Sequence, residues 1–95
     1  MSWKRMSNAK VAEAFAAGVP EARGSSMFTE VDDAGRLVVY SYGRHFPIAY
    51  WERGMQRVVL NTAGRSVTTS KHQGMVRRAL EALSPAPVFM EGRLS

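Results

Sequence analysis

The chain has 95 residues, a formal net charge of +5 and no cysteine. This length accommodates one domain, and the lack of cysteine excludes a disulfide framework and a thiolate metal site. No run reaches the roughly 20 apolar residues that a membrane-spanning helix needs, and polar residues interrupt the segment where a signal peptide would have its apolar core. We therefore expect one cytoplasmic domain over residues 1–95, with no membrane association and an ordered core at about 7–83.

The first predicted element is a helix over 7–17. Ser7 can cap its free backbone N–H groups, and Met6 and Val11 have the spacing of a hydrophobic staple. Gly18 suits the carboxyl cap, and Pro20 prevents continuation of the helix.

A meander of short strands is predicted next, at 27–32, 36–42, 46–52, 56–61 and 65–69, because a glycine lies in each junction. Residues 37–40, LVVY, are apolar on both faces and favour a central strand. Pro47 lacks a backbone donor, so the third strand is expected to begin there or to lie at an edge.

The last predicted helix runs from about 70 to 83. Ser70 and Gln73 have the spacing of a capping box, and apolar residues together with His72 recur at three- and four-residue steps. The tail at 84–95 either remains flexible or adds an edge strand. The expected fold is α+β: an antiparallel meander sheet of four to five strands flanked by an amino-terminal and a carboxyl-terminal helix.

The charge is segregated along the chain. Residues 1–52 are balanced, whereas no Asp or Glu occurs between residues 53 and 80. That segment contains Arg53, Arg57, Arg65, Lys71, Arg77 and Arg78. A surface of one sign attracts polyanions, so the pattern indicates a nucleic-acid or acidic protein partner.

A hydroxyl-rich segment at 65–73 leads into the last helix. A helix start offers free N–H groups to an anion, and Thr69, Ser70 and Lys71 would add hydroxyl donors and a charge. The alternative is that Ser70 only caps the helix. Arg78 shares a side of the helix with Lys71, whereas Arg77 can pair with Glu81.

Aromatic residues are concentrated in YSYGRHFPIAYW, residues 40–51. Aromatic rings among basic groups on a sheet can stack unpaired bases, which makes Tyr42 and Trp51 candidates. The alternative is that these rings form the core, although at least one or two of them should reach the surface.

His45 and His72 are the two histidines. Used together they would suit general acid and base catalysis in a metal-free nuclease, whereas the position of His72 on the apolar stripe favours a buried, hydrogen-bonded ring. Two histidines without a nearby carboxylate or thiolate make a poor metal site, so no metal, cofactor or catalytic residue is expected.

The runs YSYGRHFPIA (40–49) and SVTTSKHQ (66–73) resemble segments of small proteins carried by phages and plasmids. The resemblance spans about residues 9–83 and implies a small α+β domain of mobile-element origin, in the host cytoplasm if phage-encoded. It implies no established activity.

The leading functional hypothesis is non-enzymatic binding of nucleic acid through phosphate contacts from Arg53, Arg57, Arg65, Lys71 and Arg78. One alternative is a phage-encoded inhibitor that binds a host defence complex, as anti-CRISPR proteins do. Another is a His-dependent ribonuclease or toxin. A homodimer is compatible with the modest core of so short a chain.

Overall fold

The computed structural model describes residues 6–52, 56–61, 67–83 and 86–92, with only the backbone described at residues 44, 45 and 67–70. Its elements are α1 (Asn8–Ala16), β1 (Met27–Val31), β2 (Leu37–Ser41), β3 (Gly43–Glu52), β4 (Arg57–Asn61), α2 (Val67–Glu81) and β5 (Val88–Gly92). The strands form one five-stranded sheet in the order β1-β2-β3-β4-β5. The predicted fold class is confirmed: two helices accompany a mostly antiparallel sheet.

Both ends of α1 have the predicted caps. The Ser7 hydroxyl accepts a hydrogen bond from the Lys10 N–H at 3.2 Å. Gly18 adopts a φ of 79°, and its N–H donates to the Phe15 carbonyl at 3.0 Å while the following N–H reaches back to the Ala14 carbonyl. This is the Schellman arrangement, which needs a left-handed residue and explains why glycine occupies the position.

The centre of the sheet is β2, which is buried along its whole length and pairs antiparallel with β1 and β3. The prediction for residues 37–40 is therefore confirmed. The prediction for Pro47 is wrong, because β3 begins at Gly43 and pairs with strands on both sides. Pro47 lies opposite Tyr40 at a bulge, where the ladder is interrupted and a missing N–H is tolerated.

The predicted fifth strand at 65–69 is also wrong, since residues 67–69 lie in α2. Val67 and two threonines favour strands by local propensity, but tertiary burial of the helix stripe overrides that preference. Ser70 consequently lies inside the helix, so the capping-box prediction is wrong as well. Gln73 instead donates its side-chain N–H to the Asn61 carbonyl at 2.7 Å.

The fifth strand comes from the tail, as the edge-strand alternative proposed. It runs parallel to β4, with Arg57 opposite Val88 and Asn61 opposite Gly92. The expectation that all neighbouring strands are antiparallel therefore does not hold for this pair. The physical reason is that α2 crosses over between β4 and β5, and a helical crossover returns the chain in the same direction.

The two helices share one face of the sheet. Residues in register lie on the same face, and Val39, Ala49 and Leu60 form one such row in the core. Val11 and Phe15 of α1 and Val76 and Leu80 of α2 complete that core; all are fully buried.

We call the opposite side the open face. It includes the alternate strand residues that are in register with one another, of which Val38 and Tyr40 in the central strand are themselves buried: Phe28, Glu30, Val38, Tyr40, Tyr50, Glu52, Arg57, Val59, Val88 and Met90. Within the described residues no helix packs against it.

Candidate nucleic-acid interface

The imidazole of His72 joins α2 to the sheet and to α1. The residue is only 3% exposed. Its Nδ1 lies 2.8 Å from the Ser41 hydroxyl of β2, and its Nε2 lies 3.3 Å from the Ser26 hydroxyl. The Asn8 amide nitrogen approaches Nε2 at 3.5 Å. The predicted structural role of this histidine, a buried and hydrogen-bonded ring, agrees with these contacts.

The neighbours of the ring determine its tautomer. The Ser26 backbone N–H donates to Asn8 Oδ1 at 3.3 Å, so Asn8 Nδ2 must face the Ser26 hydroxyl and the imidazole. Nε2 of His72 then accepts, and Nδ1 carries the proton that it donates to Ser41. Burial lowers the pKa of His72 from its ordinary value of 6.5. The ring is therefore neutral near pH 7.

The ring of Tyr42 lies beside that of His72. Its backbone is in the left-handed region at a φ of 64°, and its N–H donates to the Ser26 carbonyl at 2.8 Å. The ring centroid lies 5.8 Å from that of His72, and the residue is 65% exposed. The prediction that an aromatic residue of the 40–51 segment reaches the surface is confirmed by Tyr42. A positive φ is uncommon for a residue other than glycine.

Lys71 immediately precedes His72, and both Lys71 and Arg78 are exposed on α2. Their seven-residue separation is close to two helical turns, so they lie on the same side of the helix. Neither has an ion-pair partner among the described residues. Arg77 instead contacts Glu81 at 3.4 Å, as predicted, and its guanidinium lies 5.2 Å from the centre of the Phe89 ring.

Arg57 lies elsewhere. It is on the open face, on the other side of the sheet from α2, and its Nε contacts a Glu52 carboxylate oxygen at 2.6 Å. The structure therefore does not bring Arg57 together with Lys71 and Arg78. A carboxylate already compensates its charge.

Trp51, the second stacking candidate, is half-buried beneath α1. Its indole N–H donates to the Phe15 carbonyl at 2.8 Å, and the two rings have centroids 6.2 Å apart. Through these contacts the indole ring anchors α1 on the sheet. Of the two stacking candidates, only Tyr42 has most of its surface exposed to solvent.

Four of the predicted site residues cannot be placed as side chains. Arg53 and Arg65 lie outside the described residues. Thr69 and Ser70 belong to the first turn of α2 by backbone only.

Sequence reasoning missed Asn8, Ser26 and Ser41 as the partners of His72. They are 64, 46 and 31 residues away from it along the chain. Small polar residues at such separations give no local signal, because the contact exists only after the two helices and β2 are assembled.

Sequence reasoning also did not separate the aromatic residues by face. On the open face Phe28 and Tyr40 stack with centroids 5.1 Å apart, and Arg36 lies 4.3 Å from the centre of the Tyr50 ring. Arg36 also pairs with Asp32 at 2.8 Å. Strand alternation could have assigned Tyr40 and Tyr50 to one face, but the bulge at Pro47 obscures the period.

No group of three or more metal-binding side chains is found within the described part of the chain. Neither helix there has the length and apolar character needed to cross a membrane. Comparisons of the chain with protein-family models, with curated proteins and with solved structures found no match.

Proposed function

We propose that this protein binds nucleic acid without catalysis. Lys71 and Arg78 contact the phosphates, and Tyr42 stacks an unpaired base. The proposal depends on one observation: Tyr42, a residue that is 65% exposed, has its ring centroid 5.8 Å from that of His72, the residue that follows Lys71. A ring that can stack a base thus contacts the residue next to a cation that can bind the phosphate.

Charge pairing supports the choice of these two cations. Lys10, Arg36, Arg57 and Arg77 each have a carboxylate partner. An ion-paired cation must give up that partner before it can bind a phosphate with full strength. Among the described residues Arg23, Lys71 and Arg78 have no carboxylate partner, and of these three Lys71 and Arg78 lie in the acid-free segment of the sequence.

The spacing also suits a polynucleotide. Seven residues of helix span about 10 Å at 1.5 Å per residue. A stacked strand rises about 3.4 Å per nucleotide, so Lys71 and Arg78 would contact phosphates about three nucleotides apart. Tyr42, which lies against the residue after Lys71, would then stack a base near one end of this stretch.

The test compares binding of fluorescent single-stranded and duplex oligonucleotides by anisotropy across a salt series. Each phosphate contact contributes about 0.7–0.9 to the slope of log affinity against log salt. We expect K71Q/R78Q to reduce the slope by about 1.4–1.8. Lys10→Gln removes one unit charge from an ion-paired position, and it should change the slope much less. An affinity that barely responds to salt would contradict the proposal.

Tyr42 provides a second arm of the same experiment. Stacking contributes about 1–3 kcal/mol per base, so we expect Tyr42→Ala to weaken single-strand binding by that amount and Tyr42→Phe to preserve it. Duplex binding should change little, because paired bases are not available to the ring. An equal loss for single strands and duplexes would remove stacking from the proposal.

A further inference from the structure

The edge strand β5 has an unusual surface for an exposed edge. Val88 is 60% exposed and Met90 is 43% exposed, and both belong to the open face. Natural edge strands are commonly protected by lysine, proline or a bulge. The strand, VFMEG, contains no lysine and no proline, and its register with β4 has no bulge.

The opposite edge of the sheet is covered along the first three residues of β1, Met27 to Thr29. Residues 21–24 run along the outer side of β1, where Glu21 N–H donates to the Thr29 carbonyl and Thr29 N–H donates to the Ala22 carbonyl. Arg23 forms a bridge with Phe28. Within the described chain, β5 is thus the sheet edge without a backbone partner.

The backbone of β5 has a defined direction. The Val88 N–H donates to the Gln56 carbonyl at 3.0 Å, on the side of β4. Backbone groups alternate along a strand, so the N–H and C=O groups of Phe89 and Glu91 point away from β4 toward the free edge. These two residues can each form a pair of hydrogen bonds with another strand.

The charges near this edge complement each other. Glu91 is exposed and has no ion-pair partner among the described residues. Arg77 lies over Phe89, and Phe89 and Glu91 are on the same face of the strand. If a second β5 ran antiparallel to the first with Met90 at the centre, Phe89 would lie opposite the partner's Glu91. Arg77, which contacts Glu81 of its own chain at 3.4 Å, would then have a second carboxylate, from the other copy, within reach.

We propose that two copies of this chain pair through β5, antiparallel, about a twofold axis at Met90. Phe89 and the partner's Glu91 form the hydrogen-bonded pair, and the two Met90 side chains form the closer, non-hydrogen-bonded pair on the open face. The dimer extends the sheet and places both α2 helices on the same side. It does not depend on nucleic-acid binding, although it would bring the two copies of Lys71 and Arg78 onto one surface.

A cysteine cross-link tests the register. The chain has no cysteine, so Met90→Cys introduces a single thiol. Non-hydrogen-bonded antiparallel pairs have Cα atoms about 4.5 Å apart, within the range that a disulfide accepts. Val31→Cys on β1 is the matched control, because Val31 is also 43% exposed. We expect M90C to form a disulfide dimer on mild oxidation while V31C remains mostly monomeric. Equal cross-linking rates would overturn the proposed register.

Charge exchange tests the same interface in the cysteine-free protein. Sedimentation velocity over a concentration series should show a monomer–dimer equilibrium for the wild type. The twofold axis produces two Arg77–Glu91 ion pairs in each dimer, so we expect Glu91→Arg to raise the dissociation constant about four- to 25-fold, the value of two surface ion pairs, and R77E/E91R to restore it. A wild type that stays monomeric at its highest soluble concentration would overturn the dimer. Such a result would leave the salt dependence of nucleic-acid binding untouched, so the two proposals fail separately.

Discussion

At the scale of single residues, His72 shows how one polar side chain can link separate parts of a small core. It contacts β2 through Ser41, the loop before β1 through Ser26 and the first turn of α1 through Asn8. All its partners are uncharged, so no negative charge offsets the cost of burying an imidazolium. Burial therefore favours the neutral ring, and the stability of the fold should depend on pH through this residue.

The sign of that dependence follows from the lowered pKa. Between the folded pKa of His72 and the ordinary value of 6.5, the unfolded chain binds more protons than the folded chain. The stabilisation by the neutral ring is present above pH 6.5 and is lost as the pH falls below it. We expect the free energy of unfolding to decrease from pH 7 toward pH 5, by at most about 1.4 kcal/mol per pH unit from this group.

Urea denaturation of wild type and His72→Gln at a series of pH values measures the effect. The variant should be less stable at pH 7 and should show a flatter profile between pH 7 and 5. Asp32 does not contribute to the change between pH 7 and 5, because its pKa is lowered from 3.8. Burial opposes ionisation of this carboxyl, but hydrogen bonds from Arg36 and Ala34 outweigh the effect of burial. Parallel profiles for the two proteins would contradict the role assigned to His72.

At the scale of elements, two glycines differ in the space around them: one is closely packed, and the other has room for a side chain. Gly24 lies against α1, where an added Cβ would meet Asn8 Oδ1 at 2.7 Å, Val11 Cγ2 at 3.0 Å and the Met6 carbonyl at 3.2 Å. Gly74 lies inside α2, where the nearest atom to an added Cβ is Arg78 Nη2 at an ordinary 3.7 Å. Gly24 permits close packing of the loop on the helix, whereas Gly74 weakens its helix without such a need.

Alanine substitutions should therefore shift stability in opposite directions. We expect Gly74→Ala to raise the free energy of unfolding by about 0.5–1 kcal/mol, because alanine favours the helix. Gly24→Ala should lower it by about 1–3 kcal/mol, because the methyl group overpacks the contact with α1. Thermal or urea unfolding distinguishes the two, and a destabilising Gly74→Ala would show that the space beside α2 is not free.

At the scale of the whole molecule, the tail is part of the fold. All of β4 pairs with β5, and Phe89 packs against the core beneath Arg77. A domain of this size is only marginally stable, so the loss of one strand should lower the free energy of unfolding of the whole domain.

A chain that ends at residue 83 tests this. We expect its free energy of unfolding to fall by about 3 kcal/mol or more, the cost typical of losing a packed Phe side chain, with β4 left as a new edge. Circular dichroism during urea titration gives the value. Removal of residues 93–95 alone is the control, because it shortens the chain and leaves β5 complete, and a chain ending at residue 83 that is as stable as this control would contradict the role of β5.

The sequence by itself determined the elements whose causes are local. Ser7 and Gly18 define the ends of α1, Gly35 occupies the turn between β1 and β2 with a positive φ, and the apolar run at 37–40 defines the central strand. The segregation of charge and the pairing of Arg77 with Glu81 were also readable, because partners one helical turn apart are set by helical geometry alone.

Only the tertiary structure decided the rest. Residues 67–69 have strand propensity but fold as helix, because burial of the stripe through His72, Val76 and Leu80 outweighs local preference. The tertiary structure also places Arg57 on the opposite face of the sheet from α2 and leaves the Tyr42 side chain exposed. Residues of the tail form the edge strand of the sheet. Each of these outcomes depends on contacts between residues distant in the chain, and no local pattern encodes such contacts.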